Sequence, residues 1–192
     1  AIPRGAPCLN QLPGRQKPKW PKDPAPEVKT VESKRGGAEV KDGRVFKAGD
    51  VEVEMMVDAD RHRRFADLVA QAKDLSKRTF SSRFRLRELA DGLHVTLLAA
   101  DGRRKTLGFC LYMIVYDVMW IKQVAVEEGH RGKGLGAALV RWALGKAKAS
   151  GCEAVQVESL EEAVPFYKAL GFGVAGASLY VVHMAHQFQP PR

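Results

Sequence analysis

Gln123-Val124-Ala125-Val126 runs through five residues, 127–131, into Gly132-Lys133-Gly134-Leu135-Gly136-Ala137. An apolar run, a charged loop and a glycine-rich turn follow one another, and Leu135, Ala138, Leu139, Trp142 and Ala143 then recur at helical spacing. Ser150-Gly151 closes that helix. Glycines let the backbone approach a ligand and turn successive N–H groups inward, and a helix N-terminus adds partial positive charge. Arg131 and Lys133 supply full charges beside those groups. The stretch reads as a strand, a loop and a phosphate cradle opening a helix.

Upstream, Leu93 to Ala99, Thr106 to Tyr116 and Val118 to Val126 are apolar, β-branched runs separated by Asp101-Gly102 and Tyr116-Asp117. Two short turns between such runs predict three consecutive antiparallel strands. Before them, Val51, Val53 and Met55 alternate with Glu52 and Glu54 as a half-exposed strand. Asp60 is placed to cap a helix carrying Phe65, Leu68, Val69 and Ala72, and a second, basic helix is expected from about Ser81 to Leu89. Downstream, Val155 and Val157 mark a strand, and Ala163 to Leu170 a short helix that tolerates Pro165 only in its first turn. A last strand is expected over Leu179 to His183.

Three readings compete for the glycine turn. A Walker A loop needs GxxxxGK followed by Ser or Thr, and no such run exists. Gly132, Gly134 and Ala137 do fit the dinucleotide pattern G-x-G-x-x-A, with Glu158 at a suitable distance. In that fold, however, the strand runs almost directly into the first glycine; here five residues intervene, and three antiparallel strands precede the motif. The third reading is a family resemblance. Arg131-x-x-Gly134-x-Gly136 after Val-x-Val resembles the Q/R-x-x-G-x-G/A acyl-CoA signature of the GNAT superfamily of N-acetyltransferases. Pro165-Phe166-Tyr167-Lys168-Ala169-Leu170-Gly171-Phe172 is similar to that family's second hallmark, and the element order matches over roughly residues 50 to 184. Glu128 departs from the pattern, since many members have proline there.

The resemblance implies an α/β fold of mixed α+β type. Its central sheet is mixed, mostly antiparallel, with six to seven strands and about four helices, and acyl-CoA sits in the splay between the two central strands. It also implies acetyl-CoA as donor co-substrate, with no metal, and an N-acetyltransferase reaction by direct attack of an amine in a ternary complex. Pantetheine would lie along Val124, Ala125 and Val126 as an added half-strand, with the pyrophosphate on Arg131, Gly132, Lys133, Gly134, Leu135, Gly136 and Ala137. A main-chain N–H near Val124 or Val126 would polarise the thioester carbonyl. Tyr167 stands where the family commonly places the proton donor for the leaving thiolate; periodicity alone reads it as a packed aromatic beside Phe166. Some members carry a general-base glutamate where this chain has Trp120. Glu158 is then the best carboxylate candidate, against the plain reading of an exposed strand end, and a water chain would serve equally.

Other chemistry-bearing residues have simpler readings. His130 borders the cradle as a loop histidine, and His183 and His186 lack a third ligand. Cys8, Cys110 and Cys152 form no CxxC pair, which fits a reducing, intracellular compartment, cytoplasmic or organellar. Cys110 and Cys152 lie in or beside apolar segments as small buried hydrophobes, and Arg103-Arg104-Lys105 is a hairpin tip. The longest apolar run, Leu107 to Tyr116, is far short of a membrane span, and no apolar signal-peptide core is present near the first residue.

The 192 residues hold 31 Lys or Arg against 22 Asp or Glu, a net charge of +9 that favours phosphates, nucleic acid or acidic surfaces. Residues 1–50 carry 11 basic and 6 acidic groups and seven of the ten prolines, all between Pro3 and Pro26. This divides the chain into a basic, Pro-rich, disordered arm over 1–47, an acetyltransferase domain over 48–186 and a tail over 187–192. The arm reads as a linker first, with a transit remnant or a nucleic-acid-touching tail as alternatives. The segment 60–91 holds nine basic and five acidic residues, Arg61, Arg63, Arg64, Arg83, Arg85 and Arg87 among them. In this fold those helices border the acceptor cleft. They suggest an acceptor with negative charge near its amine, or a protein N-terminus or lysine among acidic residues; the plain alternative is that they solvate two helices. Two other functions compete with the enzyme: an acyl-CoA-binding sensor of the same fold, and a basic nucleic-acid-associated module. The strands lack the ordered exposed aromatics of single-strand binders, which counts against the last for the domain.

Overall fold

The computed structural model describes residues 45–48, 51–81, 92–100, 102, 104–178 and 181–188. Eight strands form one mixed sheet: β1 (Val45–Ala48), β2 (Val51–Met56), β3 (Leu93–Ala100), β4 (Lys105–Val115), β5 (Val118–Val126), β6 (Ala154–Ser159), β7 (Gly173–Ala177) and β8 (Val182–Gln187). Their spatial order is β1-β2-β3-β4-β5-β6-β8-β7, antiparallel throughout except for β5 and β6. The helices are α1 (Ala66–Phe80), α2 (Leu135–Ala149) and α3 (Val164–Lys168).

The sheet buries both faces. Leu68, Val69, Ala72 and Leu75 of α1 recur along one side of the helix and pack on Val95, Leu97, Phe109, Leu111 and Ala125. Leu139, Trp142, Ala143 and Ala147 of α2 cover the other face, with Leu98, Cys110, Tyr112, Ile121, Val155 and Val157, and Tyr167 and Phe172 belong to this second core. Residues 93–126 form the meander of three strands expected from their turns, with Tyr116 taking φ 57° at the β4–β5 tip.

Several expectations need correction. The sheet has eight strands where six to seven were expected, since β1 and the small-residue strand β7 carry no clear alternation by which the sequence would show them. β1 starts at Val45, inside the segment assigned to the arm, and β8 ends at Gln187, inside the segment assigned to the tail. The last strand therefore begins at Val182; residues 179 and 180, where its start was expected, lie outside the described residues. So does the second basic helix, apart from Ser81, which ends α1 with φ 56°.

Asp60 does not cap α1. It lies in a single 3-10 turn and accepts a hydrogen bond from the Val95 N–H at 2.9 Å. His94 lies 3.3 Å from the same carboxylate through Nδ1, while Arg61 donates to its Nε2 at 3.0 Å. Arginine has no acceptor, so Nε2 must accept and the proton sits on Nδ1. Tyr112 donates to Asp58, which Lys146 of α2 approaches to 3.9 Å. The β2–α1 connection is thus pinned to β3, β4 and α2 by side chains.

Two substitutions test the packing. A methyl group on Gly108 would meet the Ala125 carbonyl oxygen at 2.8 Å, a backbone atom of the neighbouring strand. Gly108→Ala is expected to cost about 1–3 kcal/mol, read as a lower denaturation midpoint. Thr96 is fully buried, and its hydroxyl has no hydrogen-bond partner among the described residues. Thr96→Val should raise stability by about 1 kcal/mol or more, read as a higher midpoint, and a loss would show that the hydroxyl is satisfied.

Candidate active site

The site begins with a fault in the sheet. Leu111 pairs with Gln123, but the next residue, Tyr112, pairs with Ile121, so Lys122 is an extra residue in β5. Such a bulge bends its strand and disrupts the local ladder. β5 and β6 pair only from Val118 with Ala154 to Ile121 with Val157. Beyond that row β5 stays with β4 as far as Val126, and β6 stays with β8 as far as Ser159. The two central strands part, and residues 122–126 turn one backbone edge to the gap.

The glycine turn stands at the end of this gap. Gly132 has φ 75° and Gly134 φ 81°, left-handed values that favour glycine. Gly134 also supplies the first helical acceptor, since Ala138 N–H donates to its carbonyl at 2.9 Å. The N–H groups of Leu135, Gly136 and Ala137 therefore lack helical partners. No side chain caps them, and no acidic residue occupies the first turn. Arg131 and Lys133 are exposed beside them, and Arg131 Nε donates to the Val126 carbonyl at 3.1 Å. A phosphate group suits this arrangement.

A Cβ at Gly136 would lie 3.6 Å from the Phe166 ring and 3.8 Å from Val126 Cγ2, so α2, α3 and the end of β5 converge there. Pro165 sits in the first turn of α3, as its missing N–H requires. Tyr167 on the same helix is buried, edge-on to Phe166 at 5.0 Å and to Phe172 at 5.5 Å. No described residue hydrogen-bonds its hydroxyl. Burial, and then the neighbouring Cys110, push the Tyr167 phenol above its ordinary value, which keeps its proton on.

The anticipated site residues do not all contribute in the same way. Val124 and Val126 are half-buried toward the α2 face, whereas Ala125 points into the α1 core and offers only main chain to the gap. Leu135 is likewise a core side chain with a free N–H. Glu158 is exposed and alternates with Val157, so it faces away from the core that holds Tyr167. His183 is its cross-strand neighbour. The structure thus brings the glycine turn, the end of β5 and α3 together and sets Glu158 on the opposite face. His186 is structural, 2.9 Å from the Gly171 carbonyl through Nδ1 and set between Phe172, tilted to it, and Phe188, edge-on to it. Arg61 is committed to His94 on β3, with β4 between that strand and the gap.

Residues 59–172 match the acetyltransferase (GNAT) family. The chain belongs to that family. It is 40% identical over 52 residues to glucosamine 6-phosphate N-acetyltransferase of Trypanosoma brucei brucei, a match spanning 27% of this chain and 35% of that protein. The chain therefore spans about a third of the length of this curated relative. Among solved structures, PaiA N-acetyltransferase of Thermoplasma acidophilum in complex with coenzyme A superposes with a TM-score of 0.57, at 15% identity, covering 71% of this chain and 99% of that one. Ard1 of Thermoplasma volcanium gives 0.57 at 16% identity, covering 72% and 99%. These likenesses support the GNAT fold.

Two residues that sequence reasoning passed over grip the gap from the α1 side. Ser76 donates to Gln123 Oε1 at 2.7 Å, and Arg78 pairs with Glu127 at 2.5 Å. Their separations of 47 and 49 residues leave no local signal. Cys110, behind Tyr167, is fully buried, and burial pushes its thiol from 9.0 up to about 12. Well below pH 9 the thiol is neutral in both folded and unfolded chains; as pH nears 9 and up to about 12 only the unfolded chain ionises, so this contribution to stability falls as pH rises. At pH 8.5, iodoacetamide should leave Cys110 unmodified in the folded chain and label it after denaturation, as read by peptide mass mapping.

Proposed function

We propose that the chain transfers the acetyl group of acetyl-CoA to a primary amine by direct attack in a ternary complex. The observation that carries this reading is the parted pair β5 and β6, with three unpartnered N–H groups of a glycine-opened helix at its mouth. Acetyl-CoA supplies the activated acyl thioester when bound. The N–H groups of residues 132–137, with Arg131 and Lys133, hold its pyrophosphate, and the open edge of Val124–Val126 pairs with its amide-bearing arm. A main-chain N–H at Val124 or Val126 polarises the carbonyl oxygen. The amine nitrogen bonds to the carbonyl carbon as the carbon–sulfur bond breaks. Tyr167 donates its proton to the departing sulfur, and Glu158 or a water beside it takes the proton from the amine.

The acceptor is a small amine, a protein lysine or a protein N-terminus. The basic excess over residues 60–91 favours one with negative charge near its amine, although Arg61 is already engaged by His94. Release of coenzyme A, followed with a thiol reagent across a panel of amines and peptides, tests the reading. Thiol should appear only with an acceptor present, and Tyr167→Phe should lower kcat by about 10- to 100-fold with little change in acetyl-CoA affinity. Tight acetyl-CoA binding without turnover across the panel would instead establish a sensor. Rates indifferent to ionic strength and to acidic neighbours would remove the preference for an anionic acceptor.

A further inference from the structure

Two acidic residues, Glu127 and Glu128, lie between β5 and the glycine turn, which is an odd place for negative charge beside an anion site. The structure treats them differently. Glu128 is exposed in a single 3-10 turn, whereas Glu127 is half-buried and fixed. Its N–H donates to the Leu107 carbonyl at 2.8 Å, its carbonyl accepts from His130 at 2.9 Å, and its carboxylate meets Arg78 of α1 at 2.5 Å. Glu127 directly follows Val126, whose carbonyl holds Arg131 at 3.1 Å. A Glu127 carboxylate without Arg78 would therefore be an uncompensated negative charge on the short loop that joins β5 to the cradle, four residues before Arg131. That charge would oppose an incoming pyrophosphate.

We propose that Arg78 is a positioning residue for acetyl-CoA: it neutralises Glu127 and so leaves Arg131 and the glycine turn free for the pyrophosphate. This rests on the glycine turn being the coenzyme A site. Ser76, half a turn earlier on α1, bonds Gln123 at 2.7 Å, so the C-terminal part of α1 holds the chain within the β5 segment that β6 has released and again just past its end. The pair is partly solvated, with Arg78 61% exposed and Glu127 24%, and its effect is correspondingly modest and salt-dependent.

Acetyl-CoA affinity by calorimetry and acetyl-CoA KM and kcat by thiol release, on wild type, R78A, E127Q and the double variant R78A/E127Q, decide the matter. R78A should raise Kd and KM about three- to fivefold at low salt, with kcat within about twofold and the defect shrinking at high salt. E127Q should bind at least as tightly as wild type, and R78A/E127Q should regain wild-type affinity, because the charge needing cancellation has gone. A merely structural role for Arg78 would give neither the rescue nor the salt dependence. Wild-type affinity in R78A, or a double variant as weak as R78A, would overturn the proposal while leaving the coenzyme A site intact. Absence of acetyl-CoA binding by the wild type would overturn both.

Discussion

The extra residue at Lys122 is the constraint on which the site depends. A regular β5 would carry its parallel ladder with β6 beyond Ile121 and Val157 and close the sheet. With two residues of β5 set against one of β4, the strand bends, and each central strand keeps its outer neighbour while losing its inner one. Unpaired backbone in a sheet interior is costly unless something takes its place. The fold therefore creates a slot that a strand-like ligand can fill.

That slot needs support from elsewhere, because the released half of β5 has lost a neighbour. Gly108 lets β4 approach so closely that a methyl group would strike the Ala125 carbonyl. Ser76 and Arg78 reach across from α1, and Arg131 folds back onto the Val126 carbonyl. At the mouth, Val126, Gly136 and Phe166 converge from three elements. The glycine turn is thereby held in register with the strand edge, so a single extended ligand can meet both.

What was legible in the sequence was local. The meander over residues 93–126 is written in short turns between apolar runs, and the cradle in the spacing of Arg131, Gly134 and Gly136 from a helical pattern. What escaped was set by distant partners. Asp60 looks like a cap because it precedes an apolar period, yet its carboxylate is taken by a backbone N–H of Val95, 35 residues away. Arg78 and Ser76 carry no local signal, because Glu127 and Gln123 lie 49 and 47 residues away. β7, Gly173–Ala177, has neither alternation nor bulk and exists as a strand because β8 pairs with it.

The two faces of the slot differ in a way that bears on the proposed chemistry. Tyr167 lies with the α2-side core and keeps its proton because burial disfavours the phenolate, which is the state a donor to a leaving thiolate requires. Glu158, the base proposed above, is exposed on the other face. An acyl-enzyme would need a nucleophile on the Tyr167 side. Cys110, the buried thiol beside Tyr167, is held neutral by its own burial, its pKa pushed up to about 12. A thiol in that state is a poor nucleophile, since the thiolate is the attacking form. The arrangement accordingly suits the direct attack proposed above, in which Tyr167 on one face gives a proton to the sulfur and Glu158 on the other takes one from the amine.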